Sequence, residues 1–157
     1  MFEGRLLAIA ISPAAKLPMQ TVEQVEAIAG AGLAGDRYAE KKGVFQRGQM
    51  KPSQEVTLIE REAIEAAARD YQLPIGHRDT RRNLLTEDVP LNHLVGKEFT
   101  IGEVTLRGIK LCEPCGYLEK LTFAGIQKSL LHRGGLRAQI LHSGVIRVGD
   151  VIRTAEV

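Results

Sequence analysis

The two cysteines of this 157-residue sequence, Cys112 and Cys115, occur in the segment Cys-Glu-Pro-Cys-Gly. An alternating apolar run over 104–111 precedes them and predicts a strand. Pro114 cannot donate to a sheet ladder, and Gly116 permits unusual backbone angles, so the strand should end here and present Cys115 on a sharp turn. A deprotonated thiol at such a turn can act as a nucleophile or as a metal ligand.

The residues after Cys115, Gly-Tyr-Leu-Glu-Lys-Leu, predict a short helix whose free backbone amides would point toward the sulfur. Such amides favour the thiolate over the thiol. The alternative is that both cysteines are small buried hydrophobes, and the C-x-x-C spacing alone does not decide between these hypotheses.

Other C-x-x-C chemistries fit less well. Thioredoxin-like proteins carry the dithiol early, at the head of a long helix, whereas here it lies late in the chain. A zinc site would need two more ligands, and the nearest candidates, His132 and His142, have unusual spacing. An iron–sulfur cluster normally needs four cysteines. A cysteine hydrolase would need an activating histidine, and no histidine lies in a recognisable motif.

A glycine-rich turn over 30–38 contains Gly35, Asp36 and Arg37 and is followed by a polar loop that continues to Lys51. Glycines beside an Asp-Arg pair resemble a phosphate cradle, but the spacing matches neither the P-loop nor the dinucleotide fingerprint. The structural alternative is that Gly35 adopts a left-handed turn and Asp36 hydrogen-bonds local backbone.

The densest basic stretch covers 77–83 and ends in Arg81, Arg82 and Asn83. Arginines beside an asparagine suit an anion or a polar ring. A solvated loop with a structural ion pair at Asp79 is an equally consistent interpretation.

Composition narrows the function classes. A net charge of +2, an aromatic content of 4% and the lack of tryptophan argue against nucleic acid as a partner. No apolar run is long enough to span a bilayer. The N-terminal apolar run is interrupted by Glu3 and Gly4 and stops at Pro13, so it predicts a strand rather than a signal peptide. We therefore expect one domain over 1–157 in a reducing cytoplasm.

The pattern of elements favours a β-barrel over a doubly wound sheet, because many short strands with glycine turns accompany only a few helices. The segment 19–29 fits either a helical face or an extended run. Helices are predicted over 60–71, as a turn from Leu91, and as one or two short helices within 117–132. Strands are predicted over 5–11, 54–59, 136–141, as a hairpin at 97–101 and 103–111, and as two pieces around a Gly-Asp turn within 144–153.

Five motifs occur in an order that resembles one family. They are Gly-Leu-Ala-Gly-Asp-Arg-Tyr at 32–38, Arg-Arg-Asn-Leu at 81–84, Gly-Lys-Glu-Phe-Thr-Ile-Gly at 96–102, Cys-Glu-Pro-Cys at 112–115 and Gly-Val-Ile-Arg-Val-Gly-Asp at 144–150. This set resembles the MOSC domain, named for the C-terminal domain of molybdenum cofactor sulfurase, and spans nearly the whole chain.

The resemblance implies a mainly β fold with a few helices, a MOSC-type β-barrel, that binds the molybdenum cofactor (molybdopterin) or handles sulfur for metal cofactors. It implies that Cys115 is the key side chain, as a molybdenum ligand or sulfur carrier, and that Arg81 and Asn83 contact the pterin. Arginines or backbone amides from 32–37 and from Arg81 and Arg82 would suit the pterin phosphate. We expect both loops and Cys115 to converge on one pocket.

Two functions follow from the resemblance. The first is a cofactor-binding or sulfur-carrier module served by a pyridoxal-phosphate-dependent cysteine desulfurase or by a molybdoenzyme partner. The second is a small molybdoenzyme that reduces N-hydroxylated bases or amines with electrons from an external donor, because no flavin, haem or cluster site is evident. Whether a homodimer completes the pocket is left open.

Overall fold

The computed structural model describes residues 2–40 and 51–155. Its strands are β1 Glu3–Ile11, β2 Gln20–Val22, β3 Gln24–Ile28, β4 Gly32–Leu33, β5 Val56–Glu60, β6 Leu84–Glu87, β7 Glu98–Ile101, β8 Val104–Leu111, β9 Leu136–His142, β10 Gly144–Arg147 and β11 Val151–Thr154. The helices are α1 Arg61–Tyr71, α2 His77–Thr80, α3 Gly116–Leu121 and α4 Ile126–Ser129, with single 3-10 turns at Pro52–Gln54 and Leu91–Leu94.

Seven strands close into a barrel in the order β11-β7-β8-β9-β5-β6-β1, and β1 pairs again with β11. The pairs are antiparallel apart from β5 and β6, which run parallel and are connected through α1 and α2. The short β2 extends the barrel sheet beside β1, while β10, β3 and β4 form a separate small sheet. The predicted mainly β barrel with a few helices is therefore confirmed.

The barrel interior is filled by aliphatic side chains from alternating strand positions. In β9, Leu136, Ala138 and Ile140 are buried, while the residues between them face outward. In β1 the alternation shifts at a bulge, so that both Leu6 and Ile9 enter the core.

A second apolar cluster lies outside the barrel, between one face of the sheet and the helices. Ile59 from β5 packs there with Ile64 and Ala67 of α1, Leu118 of α3 and Ile126 of α4, among others. Helix α3, which follows the cysteine segment, is therefore anchored to the barrel by apolar packing rather than by its own short length.

The described residues agree with most of the sequence-based elements and differ at two turns. Gly116 has no positive φ and is the first residue of α3, so the turn at the cysteines does not use its conformational freedom. β10 and β11 do not pair with each other, because the turn at Gly149 and Asp150 sends the chain from the small sheet into the barrel. The ambiguous segment 19–29 is extended, and the predicted polar loop falls largely on 41–50, outside the described residues. No helix in the described ranges is long and apolar enough to cross a bilayer.

Asn83 is fully buried and joins three strands through its side chain. Its Oδ1 accepts hydrogen bonds from the amide of Thr57 at 3.0 Å and from the hydroxyl of Thr57 at 3.1 Å. Its Nδ2 donates to the carbonyl of Ala10 at 3.1 Å. These bonds hold β1, β5 and the start of β6 together where the arginine-bearing loop enters the barrel.

We expect Asn83→Ala to lower the free energy of unfolding by about 2–4 kcal/mol, because it leaves buried groups of Thr57 and Ala10 without partners. Urea unfolding at neutral pH measures the change. Asn92→Ala is the matched control, since the exposed Asn92 makes a surface hydrogen bond to the carbonyl of His132 and should cost less than about 1 kcal/mol. Equal losses in the two variants would contradict the structural role of Asn83.

Candidate functional site

A small half-open cleft of about 60 Å³ lies on the outside of the barrel, beside the cysteine segment. Loops that follow β1, β4 and α2 form one side, and the cysteine segment, α3 and β9 form the other. Its lining consists of four arginines, two tyrosines, one carboxylate, the thiol of Cys115 and two apolar residues. They are Ala15, Arg37, Tyr38, Arg81, Arg82, Glu113, Cys115, Tyr117, Leu118 and Arg137.

The cleft brings together four residues that the sequence singled out, although they lie far apart in the chain: Arg37, Arg81, Arg82 and Cys115. Three others lie outside its lining: Gly35, Asp36 and Asn83. The expected convergence thus holds for the arginines and the thiol, while the remaining residues lie behind the wall of the cleft.

Cys115 is the residue that precedes α3 and has an extended backbone. Its side chain is partly buried against the helical cluster, and both cysteines are free thiols. Cys112 is only 1% exposed, and its amide donates to the carbonyl of Gly135 at 2.7 Å. The two cysteines therefore have different environments, and Cys115 is the one that reaches the cleft.

Arg82 holds the cysteine segment in place. Its Nε donates to the carbonyl of Gly134 at 2.7 Å, its Nη2 to that of Cys112 at 2.9 Å and its Nη1 to that of Thr80 at 3.2 Å. Gly134 approaches the backbone of Cys112 so closely that no Cβ could be accommodated there. The guanidinium reaches the three carbonyls from three separate nitrogens, whereas the donors of a lysine all lie on one nitrogen.

Arg81 and Arg37 form the opposite wall. Arg81 has a left-handed backbone, with φ 58°, and its Nη1 donates to the carbonyl of Leu17 at 2.8 Å. Arg37 is nearly buried, pairs with Asp36 at 3.2 Å, donates to the carbonyl of Arg81 at 3.1 Å and stacks 4.6 Å above the ring centre of Tyr38. Burial and the charge of Arg37 lower the pKa of Arg81, which is the behaviour expected of like charges crowded without an anion.

Arg137 is the cleft residue that sequence reasoning missed. It lies on the outward face of β9 and pairs in register with Lys110, next to the cysteine segment. Burial lowers the pKa of Arg137, but Cys112, Tyr38 and Cys115 outweigh that effect and raise it overall. In the sequence, Arg137 is a cation between apolar positions of a predicted strand, which could have drawn attention to it. The spacing of residues could not show which strand lies beside it, and therefore could not place it next to the cysteine segment.

The glycine-rich turn is structural at its centre. Gly35 has φ 84°, and Asp36 is fully buried with its Oδ1 accepting the amide of Ser12 at 3.0 Å. The amides of Ala34, Asp36 and Arg37 all donate to backbone carbonyls. The turn therefore presents the side chain of Arg37 to the cleft and offers no cradle of free amides at these positions.

The histidines do not complete a metal site with the cysteines. In the described part of the chain no group of three or more His, Cys, Asp and Glu side chains is arranged to hold a metal ion. His132 is exposed, and its amide and Nδ1 each lie 2.8 Å from an oxygen of Glu113. A thiolate ligand to a metal in this cleft would therefore act alone among these residue types.

We expect Arg82→Lys to release the cysteine segment, because a single ammonium nitrogen cannot reach the carbonyls of Thr80, Cys112 and Gly134 that three guanidinium nitrogens bond. An aromatic disulfide reagent should modify one thiol rapidly in the wild type, at Cys115, and the buried Cys112 slowly. In Arg82→Lys the slow phase should accelerate about tenfold or more. Cys115→Ser assigns the phases, since it should retain only the slow one; an unchanged slow phase in Arg82→Lys would contradict the clamp.

Stability should fall on mild acidification because of His77. Its half-buried ring bonds the carbonyl of Arg82 at 2.8 Å through Nε2, and burial lowers its pKa from 6.5. The unfolded chain takes up the proton below about pH 6.5 while the folded chain resists it, so stability is lost as the pH falls through that value.

Thermal unfolding at about pH 7.5 and about pH 5.5 measures this loss. His77→Asn should show a smaller decrease in Tm between the two pH values than the wild type. His142→Asn, at an exposed position, is the control and should follow the wild type. A decrease in His77→Asn as large as in the wild type would assign the acid sensitivity elsewhere.

Several solved structures have a fold similar to that of this chain. YuaD from Bacillus subtilis superposes with a TM-score of 0.78 at 16% identity, covering 97% of this chain and 97% of that chain. YiiM from Geobacillus stearothermophilus superposes with a TM-score of 0.73 at 13% identity, over 98% and 75% of the two chains. YiiM from Escherichia coli gives 0.68 at 17% identity, over 98% and 70%. At these identities the likeness shows the shared fold.

No curated protein sequence matches the chain. The sequence model of the MOSC domain matches residues 46–153, which is well over half of the chain. The match includes the arginine loop, the cysteine segment and most of the barrel strands. On this evidence, the chain belongs to the MOSC domain family.

Proposed function

We propose that the chain acts as a molybdenum-cofactor-binding or sulfur-carrier module in which Cys115 is the reactive side chain. The family is linked to molybdenum cofactor binding. The observation that carries the proposal is the meeting of one accessible thiol with Arg37, Arg81, Arg82 and Arg137 in a single cleft. A thiol suits a soft metal or a sulfane sulfur, and arginines suit a phosphate or another anion.

The residues present fit the molybdenum cofactor. The enclosed part of the cleft is small, about 60 Å³, but the cleft opens to solvent, so a larger ligand can extend beyond it. Within the described residues, Arg81, Arg82 and Arg137 have no ion pair with a carboxylate, and Arg81 Nη2 is a buried donor without a hydrogen-bond partner. A buried donor without a partner is costly, so this nitrogen of Arg81 supports an anionic ligand.

Each side chain then has a distinct role. Arg81 and Arg137 would bind anionic groups. Arg37 would hold Arg81 in place by donating to the carbonyl of Arg81. Arg82 would keep the cysteine segment in position. Cys115 would present its sulfur to the metal or to a sulfur donor. A bound molybdenum centre would supply a redox-active metal with an exchangeable position. Asn83 would serve the site by fixing the strands behind it rather than by contact.

Sulfur carriage uses the same thiolate. The Cys115 thiolate would attack the outer sulfur of a persulfide on a cysteine desulfurase, a pyridoxal-phosphate-dependent partner. A sulfur–sulfur bond forms at Cys115, the donor's sulfur–sulfur bond breaks, and the donor cysteine leaves as a thiolate. The cations of the cleft would stabilise the anionic persulfide that results. A reducing cytoplasm would keep both cysteines available as thiols.

A second function is favoured by the number of cations. A persulfide carries one negative charge, whereas the cleft contains four arginines and one carboxylate, Glu113, whose two oxygens lie beside His132. This excess suits a larger, multiply charged ligand such as the complete cofactor. The chain would then be a small molybdoenzyme that reduces N-hydroxylated bases or amines, with electrons supplied by an external donor protein.

The test is to express the wild type and Cys115→Ser in a host that makes molybdenum cofactor. Molybdenum by elemental analysis and pterin by fluorescence after oxidation are then measured per protein after gel filtration. We expect the wild type to retain both and Cys115→Ser to lose at least about 90% of the metal, because the thiolate is the soft ligand. Arg81→Gln combined with Arg137→Gln should lower the pterin content.

Cys112→Ala is the matched control, since Cys112 is buried and should not affect metal content. A wild type that carries neither metal nor pterin would rule out the cofactor function in both forms. Labelled sulfur from a cysteine desulfurase would then test the carrier function, with Cys115→Ser expected to remain unlabelled. Labelling of Cys115→Ser equal to that of the wild type would contradict it.

A further inference from the structure

A second groove, of about 310 Å³ and open to solvent, adjoins the thiol cleft at Arg81, which lines both. The loop after β1 forms one wall, α2 and its C-terminal residue form another, and the end of α3 closes the third side. Arg37, which lines the cleft, contacts Met19, which lines the groove: its Nη1 lies 3.6 Å from the sulfur of Met19. The groove is thus a continuation of the cleft away from Cys115.

The polar side of this groove is cationic. Lys16, Arg78 and Arg81 line it together with one carboxylate, Asp79. Asp79 Oδ2 already accepts the amide of Gly76 at 2.8 Å. Across residues 2–40 and 51–155, no ion pair connects the three cations to a carboxylate. The groove therefore carries positive charge with little internal compensation.

Two of these cations have left-handed backbones. Lys16 has φ 73° and Arg81 has φ 58°, conformations that are uncommon for residues other than glycine. For Arg81 this conformation is the left-handed C-cap of α2, which sets the direction in which its side chain leaves the helix. Arg81 is additionally fixed by its bond to the carbonyl of Leu17, so it is held in place before any ligand binds.

The other side of the groove is apolar, formed by Pro18, Met19 and Leu121. A free inorganic anion would use only the cations, whereas an organic phosphate would also cover this surface. We propose that the groove binds a nucleotide-like phosphate ester, with its phosphate at Lys16, Arg78 and Arg81 and its organic part against Pro18, Met19 and Leu121.

Phosphate-ester binding in the groove does not depend on the proposed function. The inference rests on the proposed function only in that a ligand bound here would extend toward Cys115. The phosphate ester has two possible sources. It can be a separate molecule, such as a phosphorylated substrate, or it can be a nucleotide covalently attached to the pterin cofactor. Both sources present the same chemistry to the groove.

Isothermal titration calorimetry of cofactor-free protein with AMP and with inorganic phosphate tests the groove. AMP should bind more tightly than inorganic phosphate, because only AMP covers the apolar wall. Lys16→Gln combined with Arg78→Gln should raise the Kd for AMP about tenfold or more, since two charge-assisted contacts are lost. Both residues are exposed, so the fold should be unaffected.

Arg107→Gln combined with Lys128→Gln is the matched control, because it removes the same charge at exposed residues outside both pockets. This control should bind AMP within about twofold of the wild type. Absence of AMP binding to the wild type, or equal binding by the Lys16 and Arg78 variant, would overturn the proposal. Equal affinity for phosphate and AMP would overturn the part played by the apolar wall.

Material released by acid from cofactor-loaded protein distinguishes the two sources. One nucleotide per pterin, lost in the Lys16 and Arg78 variant, supports a nucleotide attached to the cofactor. Pterin without nucleotide, in a protein that binds AMP, supports a separate phosphate ester. A wild type without pterin that still binds AMP through Lys16 and Arg78 would contradict the proposed cofactor function and leave the groove supported.

Discussion

The site depends on one buried guanidinium, that of Arg82. It bonds carbonyls from three separate segments, at Thr80, Cys112 and Gly134. Arg82 stands between α2 and β6, so its position is set by the barrel. Through it the barrel determines where the cysteine segment begins, and hence where Cys115 lies. A neutral side chain could not bond three carbonyls in this geometry, because it lacks enough donors.

The second constraint is the accumulation of positive charge beside the thiol. Arg37 has a carboxylate partner in Asp36, but Arg81, Arg82 and Arg137 use carbonyls or have no ion pair among the described residues. Like charges in a partly buried cleft repel one another, and burial removes the water that would screen them. The fold tolerates this cost because two apolar clusters stabilise the surrounding structure. An anionic ligand would remove much of this repulsion between the arginines.

The cleft and the neighbouring groove share Arg81, so together they form one continuous surface with two different ends. Cys115 lies at one end, next to the apolar cluster and α3, and Lys16 and Arg78 lie at the other. In the proposed function, reactive chemistry and anion recognition would be separated along one surface. A ligand's charged end would then be held at a distance from the sulfur.

The sequence by itself determined the longer barrel strands, the main helix and the position of both cysteines just after the end of β8. These follow from local periodicity and from the backbone preferences of glycine and proline, which need no knowledge of distant neighbours. It also indicated Arg37, Arg81 and Arg82 through the resemblance to the MOSC domain. The difference between Cys112 and Cys115 was indicated only through that resemblance.

Only the tertiary structure decided what each side chain contacts. Asn83 has the residue type of a ligand contact, but strand pairing buries it against Thr57 and Ala10. Arg137 looks like an ordinary outward strand residue, but the pairing of β8 with β9 places it at the cleft. These outcomes depend on which strands become neighbours. That is fixed by closure of the barrel over residues far apart in sequence, and not by the spacing within any one segment.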